Sequence, residues 1–218
     1  MLRKNSWRIL AILELVAASL VILFDVLLPT VVILGIVAIS LLIRREGLST
    51  LGFIKREKPL RMVLVVFLLV VVWSLFQLGI VMPVLNRLTG TTQDLSAFAD
   101  LQGNLPGLLI LLALTWTLAA FGEEVVYRGF LQRRVFDLLG TSTLGVAMAI
   151  GFSSILFGVA HMEQGVVGVV LTFLDAVFFS LLKLRYSGNL WASILAHGFS
   201  NTLGLVAFYL VGPIYGLW

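Results

Sequence analysis

The sequence contains no cysteine. Disulfide frameworks and thiolate chemistry are therefore excluded. Charge is also scarce. Only 12% of residues are Asp, Glu, Lys or Arg, about half the fraction of a soluble domain. Histidine occurs only twice. No Gly-x-Ser-x-Gly elbow is present, which argues against a serine nucleophile at Ser153, Ser154 or Ser200. No His-Glu-x-x-His zinc motif is present either,. Internal repeats and low-complexity tracts are not visible, so an inverted-repeat transporter is disfavoured.

What the chain does have is apolar surface. Hydrophobic residues make up 60% of it, and the mean hydropathy is +1.09. Apolar runs of about 20 residues recur, the length a helix needs to cross a hydrocarbon core. The expected fold is all-α: a polytopic membrane helix bundle of about seven spans, with six and eight as bounds. The spans are read at Ile9–Leu28, Thr30–Ile43, Met62–Met82, Pro106–Val126, Thr143–His161, Val166–Leu182 and Leu190–Gly212. The first run lacks a small-residue cleavage site and is long enough to span, so it reads as a retained helix.

Basic residues orient the bundle. Arg3, Lys4 and Arg8 precede the first span, and Arg44, Arg45, Lys55, Arg56, Lys58 and Arg61 follow the second. Arg128, Arg133 and Arg134 follow the fourth, and Lys183 and Arg185 follow the sixth. With seven crossings, only Arg87 falls on the other side. The positive-inside rule then predicts a multi-pass protein of the cell membrane, inner or plasma, with a cytoplasmic N-terminus and an outside C-terminus. Basic residues at span ends meet anionic lipid, so the net charge of +4 does not imply nucleic acid,. The mixed stretch Leu51–Arg61 reads as an interfacial helix, and the polar stretch Pro83–Asn104 as an outside loop. Gly145, Gly151, Gly158, Gly165 and Gly168 read as sites of close helix packing.

Polar groups at membrane depth are expensive, and each is a functional hypothesis. The fourth span ends in Gly122-Glu123-Glu124-Val125-Val126-Tyr127-Arg128-Gly129. Glu124 and Arg128 are four apart and share a helix face, with the acid N-terminal to the base. Glu123 points about 100° away on an α-helix and is free to meet another partner. It reads as the general base, with Glu124 held by the arginine. An ion pair at a helix end, without chemistry, is the plain alternative.

His161 closes Phe157-Gly158-Val159-Ala160-His161, and His197 opens His197-Gly198-Phe199-Ser200-Asn201. His197 and Asn201 share a helix face. Packing residues are the plain reading of lone buried histidines. Two of them, both at membrane depth beside an acid pair, point to a site. Counting from the turn near Gly140–Thr141 places Glu123 and His161 both about 25–30 Å away along antiparallel helices. His197 lies about 15 Å beyond the Ser187–Asn189 turn. The groups can meet at one depth, roughly 10–20 Å below the cytoplasmic surface. Asp175 reads as an inward acid hydrogen-bonded to a neighbouring helix, Glu163 as a loop residue near an entrance, and Glu14 and Gln77 receive no role.

Glu-Glu-x-x-x-Arg, then Phe-x-x-x-His, then His-x-x-x-Asn, in that order, resembles the CAAX-protease and bacteriocin-processing family, also called Abi. That family includes the type II CAAX prenyl endopeptidases. The resemblance covers about Leu105–Gly212. It implies a variable N-terminal transmembrane region over 1–104, with three spans, and a catalytic core over 105–218, with four. It implies that Glu123, with His161, activates a water against a peptide carbonyl. Glu124 and Arg128 would order the site, and His197 and Asn201 would stabilise the oxyanion. Both glutamate-dependent and metalloprotease mechanisms are argued for the family. Glu123, His161 and His197 are a ligand set that Zn²⁺ accepts, although Asn201 is an unusual ligand for it. The implied partners are a peptide or protein substrate at the membrane (CAAX-like, bacteriocin-leader-like or otherwise membrane-associated) and the lipid bilayer. Two other readings stand beside it: a catalytically silent immunity or assembly protein, and a proton-coupled transporter.

Overall fold

The computed structural model describes residues 2–55 and 57–212, with side chains from residue 5 onward. Arg56 lies outside the described residues, as do the side chains of Arg3 and Lys4. The described chain is helical, without strands. We number its long helices α1 (Leu2–Leu23), α2 (Pro29–Arg44), α3 (Pro59–Thr89), α4 (Leu105–Leu139), α5 (Thr143–Val159), α6 (Gly165–Arg185) and α7 (Leu190–Val211). Five of these, α1, α3, α4, α6 and α7, are long and apolar enough to cross a membrane. The other two, α2 and α5, are apolar but shorter, at 16 and 17 residues. Their lipid-facing side chains, such as Leu13, Ile39, Leu68, Ile110, Ile155 and Leu210, are exposed leucine and isoleucine. That is the surface a bilayer solvates.

The helix boundaries follow from local chemistry. Proline opens α2, α3 and α4, where its missing N–H has no intrahelical partner in any case,. The side chains of Asn104, Ser142 and Asn189 cap α4, α5 and α7 by accepting from the backbone N–H of Gly107, Gly145 and Trp191,. Gly90 ends α3 at φ 69°,.

Several sequence boundaries shift. The first helix ends at Leu23 rather than Leu28, because Asp25 and Leu27 adopt left-handed backbone at φ 46° and 56°. Leu51–Arg61 is not an interfacial helix. A single 3₁₀ turn, Leu48–Leu51, is followed by irregular chain over residues 52–55, and α3 opens only at Pro59. That chain is tied inward, because Leu190 N–H donates to the Gly52 carbonyl and the Asn189 side chain to the Ile54 carbonyl, each at 2.8 Å. The polar loop expected from Pro83 begins only after Thr89, since α3 continues past Pro83.

The largest shift is in α4. It is one continuous helix of 35 residues, running well beyond Val126. Arg128, Arg133 and Arg134 therefore lie within it rather than after it. Arg128 and Arg134 are fully buried. Arg134 is the hub of a charged staple. Its guanidinium contacts Glu14 of α1 at 3.2 Å, Glu46 after α2 at 3.1 Å and Asp137 at 2.6 Å. Arg44 of α2 reaches the same acids, Glu14 at 2.8 Å and Asp137 at 3.3 Å. The Ser40 hydroxyl donates to Glu14 at 2.6 Å. Sequence reading left Glu14 without a role, and here it joins three helices.

Elsewhere Lys55, Lys58, Arg61 and Arg185 line one open cleft with Glu57 and Tyr186, between the start of α3 and the end of α6. Helices α5 and α6 form a close hairpin. Of the five glycines expected to permit close helix packing, only Gly158 does so. A Cβ there would lie 2.8 Å from the Val169 carbonyl of α6. Gly145 faces the Gly140 turn, Gly168 faces Gln164, and Gly151 and Gly165 face open space.

Candidate active site

The site begins with an irregularity in α4. From Thr115 to Glu123, and again from Val125 to Leu131, the helix is wound as π-helix, with Glu124 between the two segments. Such i→i+5 winding has poorer hydrogen-bond geometry and often marks a functional site. It changes where side chains point. On a regular α-helix, adjacent residues diverge by about 100°. Here the carboxylates of both Glu123 and Glu124 reach one imidazole. His197 Nδ1 lies 2.9 Å from Glu124 Oε1, and His197 Nε2 lies 3.9 Å from Glu123 Oε2.

Glu124 is fully buried, and Arg128 lies against it with Nη1 to Oε1 at 3.0 Å. A buried cation needs compensation. Besides Glu124, the guanidinium meets the rings of Phe157 at 4.5 Å, Phe179 at 5.5 Å and Tyr127 at 5.8 Å, contacts that attract a cation. A carboxylate only accepts, so the imidazole donates to Glu124 from Nδ1, and this fixes the ring's orientation. Phe179 stacks on that ring at 5.2 Å with an interplanar angle of 20°. Phe157 meets it edge-on at 5.7 Å and 84°.

His161 follows the last turn of α5 and is half-buried. Its Nδ1 lies 2.8 Å from the Phe157 carbonyl. Since a carbonyl only accepts, Nδ1 carries the proton and Nε2 keeps its lone pair. Phe157 lies against both histidines, 4.8 Å from the His161 ring. Asn201 is one turn beyond His197 on α7 and half-buried. It forms no side-chain hydrogen bond among the described residues.

The structure thus brings Glu123, Glu124, Arg128 and His197 together, with His161 beside them. It pairs Glu123 most closely with His197, not with His161. Buried oxygens of both glutamates, Oε2 in each case, lack a hydrogen-bond partner. Among the described residues, no three His, Asp or Glu side chains stand together as a metal-ligating group. Glu123, His161 and His197 are not gathered into such a group here.

Four further residues shape the site without having been legible as site residues. Gly198 follows His197, and a Cβ on it would collide with the Trp116 ring of α4. Trp116 in turn donates to Thr202 at 3.2 Å, so α4 and α7 are locked on either side of His197. The adjacency of Gly198 to the histidine is the one signal sequence offers. Lys183 is the fourth. Counted by sequence as a charge at a span end, it is buried and donates to the Arg128 carbonyl. Asp175 follows its sequence reading. It accepts from Trp73 Nε1 at 2.6 Å and from the Gln77 side chain, which also gives Gln77 a partner. Glu163 sits exposed in the Met162–Gln164 turn.

Residues 105–203 match the family described as type II CAAX prenyl endopeptidase Rce1-like. Over that stretch the chain is similar to the Rce1-like family. All six motif residues, from Glu123 to Asn201, fall inside the match, and the motif-based resemblance agrees with it. No curated protein and no solved structure matches the chain.

Proposed function

We propose that the protein is an intramembrane endopeptidase whose hydrolytic water is activated at Glu123. The observation that carries this reading is the convergence of two carboxylates and an imidazole within a stretch that matches an endopeptidase family. Glu123 is the less deeply buried member of the acid pair, and its unpartnered Oε2 suits a water's proton. His161 supports the same water through the Nε2 lone pair. The water oxygen attacks the scissile carbonyl as Glu123 takes its proton. Glu123 then returns the proton to the departing amine. His197 and Asn201 stand on one face of α7, where the imidazolium form of His197, already donating from Nδ1 to Glu124, and the Asn201 carboxamide donate to the tetrahedral oxyanion. Glu124 and Arg128 keep His197 in place. The substrate class follows the family: a CAAX-like or other membrane-associated peptide, with 105–218 as the catalytic core and 1–104 as the supporting region.

His197 lies seven residues into α7, about 10 Å from its start. That end carries the basic cleft and the Arg134 staple, so the site opens nearer the cytoplasmic face and the N-terminus is cytoplasmic. The cysteine-free chain makes this easy to check. A Ser142→Cys variant should react with an impermeant maleimide only after the inner face is exposed, and Thr92→Cys should react from outside. The reverse pattern overturns the orientation.

The activity itself is tested by comparing membrane peptidomes of cells carrying the wild type and Glu123→Gln at equal abundance. Peptides produced only by the wild type are expected. Identical peptidomes would sink the hydrolytic reading.

A further inference from the structure

Lys183 is out of keeping with its place in the chain. A lysine near the end of a membrane span normally extends its ammonium to the interface. This one turns inward. It is 8% exposed, and its Nζ donates to the backbone carbonyl of Arg128. Burying an ammonium is costly, so its position calls for a partner that uses it.

The acceptor is informative. The Arg128 carbonyl belongs to the π-helical segment Val125–Leu131. Backbone bonding there is weaker than in an α-helix, and a carbonyl has a second lone pair to offer. Lys183 therefore fastens the widened turn from outside the helix. Its neighbour one turn earlier, Ser180, accepts from Gln132 of α4 at 2.9 Å, and Gln132 also donates to Ser153 of α5 at 3.2 Å. Two polar contacts from one face of α6 thus grip α4 just beyond the acid pair. The winding they grip is what lets neighbouring carboxylates share His197.

We propose that Lys183 is a positioning residue of the hydrolytic site: its ammonium, bound to the Arg128 carbonyl, holds the widened turn that presents Glu123 and Glu124 to His197. The inference rests on the endopeptidase reading. Lys183 itself touches neither substrate nor water. Its loss misplaces the acid pair without removing a substrate contact, and displacements of that kind cost up to about 100-fold in rate.

The test uses the full chain in proteoliposomes and a peptide whose cleavage separates the wild type from Glu123→Gln. Lys183→Met keeps the side chain's length and removes the donor. It should lower kcat about 10- to 100-fold, with KM within about twofold. Lys183→Gln, which restores an N–H donor one bond shorter than the ammonium, should recover part of the loss. Lys183→Asn, a donor too short to reach, should not. Unchanged kcat in Lys183→Met, with Glu123→Gln inactive, overturns the positioning role and leaves the hydrolytic reading standing. If Lys183→Met does not fold, the Gln and Asn variants decide, and equal kcat in those two also overturns the role. If no peptide separates the wild type from Glu123→Gln, the hydrolytic reading fails and the inference falls with it.

Discussion

Glu123→Gln is expected to lower kcat for peptide hydrolysis by about 10²- to 10⁴-fold, the usual contribution of a general base. Stability should barely move. The side chain is half-buried, and its one close ionic contact is the 3.9 Å approach to His197. The neighbouring substitution should behave differently. Glu124→Gln leaves the Arg128 guanidinium without its counter-charge in a fully buried position. Breaking a buried pair from one side costs about 3–5 kcal/mol, so this variant should lose both stability and activity. Kinetics on a cleavable peptide, with thermal unfolding of each variant in the same detergent, separates the two. Equal stability loss in both would contradict the division of labour between the adjacent acids.

The second large effect lies outside the active site. Arg134→Met should destabilise the protein by about 3–5 kcal/mol, because Glu14, Glu46 and Asp137 lose the cation they share. Arg44 still pairs with Glu14 and Asp137, which places the cost toward the lower end. The folded fraction should keep the wild-type KM, since none of these groups lies among the acid pair and the histidines. Denaturant or thermal unfolding monitored by tryptophan emission measures the loss. A change below about 1 kcal/mol, the range of an exposed ion pair, would mean that the staple is solvated.

The helical bundle and the order of its motifs were legible because bilayer chemistry writes them plainly. A span must be apolar for its whole length, and a Glu or His within one stands out. Glu124 with Arg128 was readable from spacing alone, and so was Asp175 as an acid bonded to a neighbouring helix. Arg134 and Lys183 were not. A basic residue at the end of an apolar run looks the same whether it faces water or turns inward, since only the tertiary partner differs. The winding of α4 was hidden for another reason. A π-turn admits one extra residue without changing composition or hydropathy, so the counting that put Glu123 and Glu124 on different faces had nothing to correct it. For the same reason His197, rather than His161, emerged as the group nearest Glu123.

The Arg134 staple also bears on modularity. Arg134 lies within the family-matched stretch, yet its partners Glu14, Ser40 and Glu46 precede that stretch by some 60 residues or more. The two halves are thus interlocked by charge complementarity as well as by apolar packing. A chimera that grafted foreign helices onto residues 105–218 would leave the buried Arg134 guanidinium with Asp137 but without Glu14 and Glu46, unless those helices carried acids at the same three-dimensional positions. Divergence in the N-terminal half is thereby constrained at a few points that no motif marks.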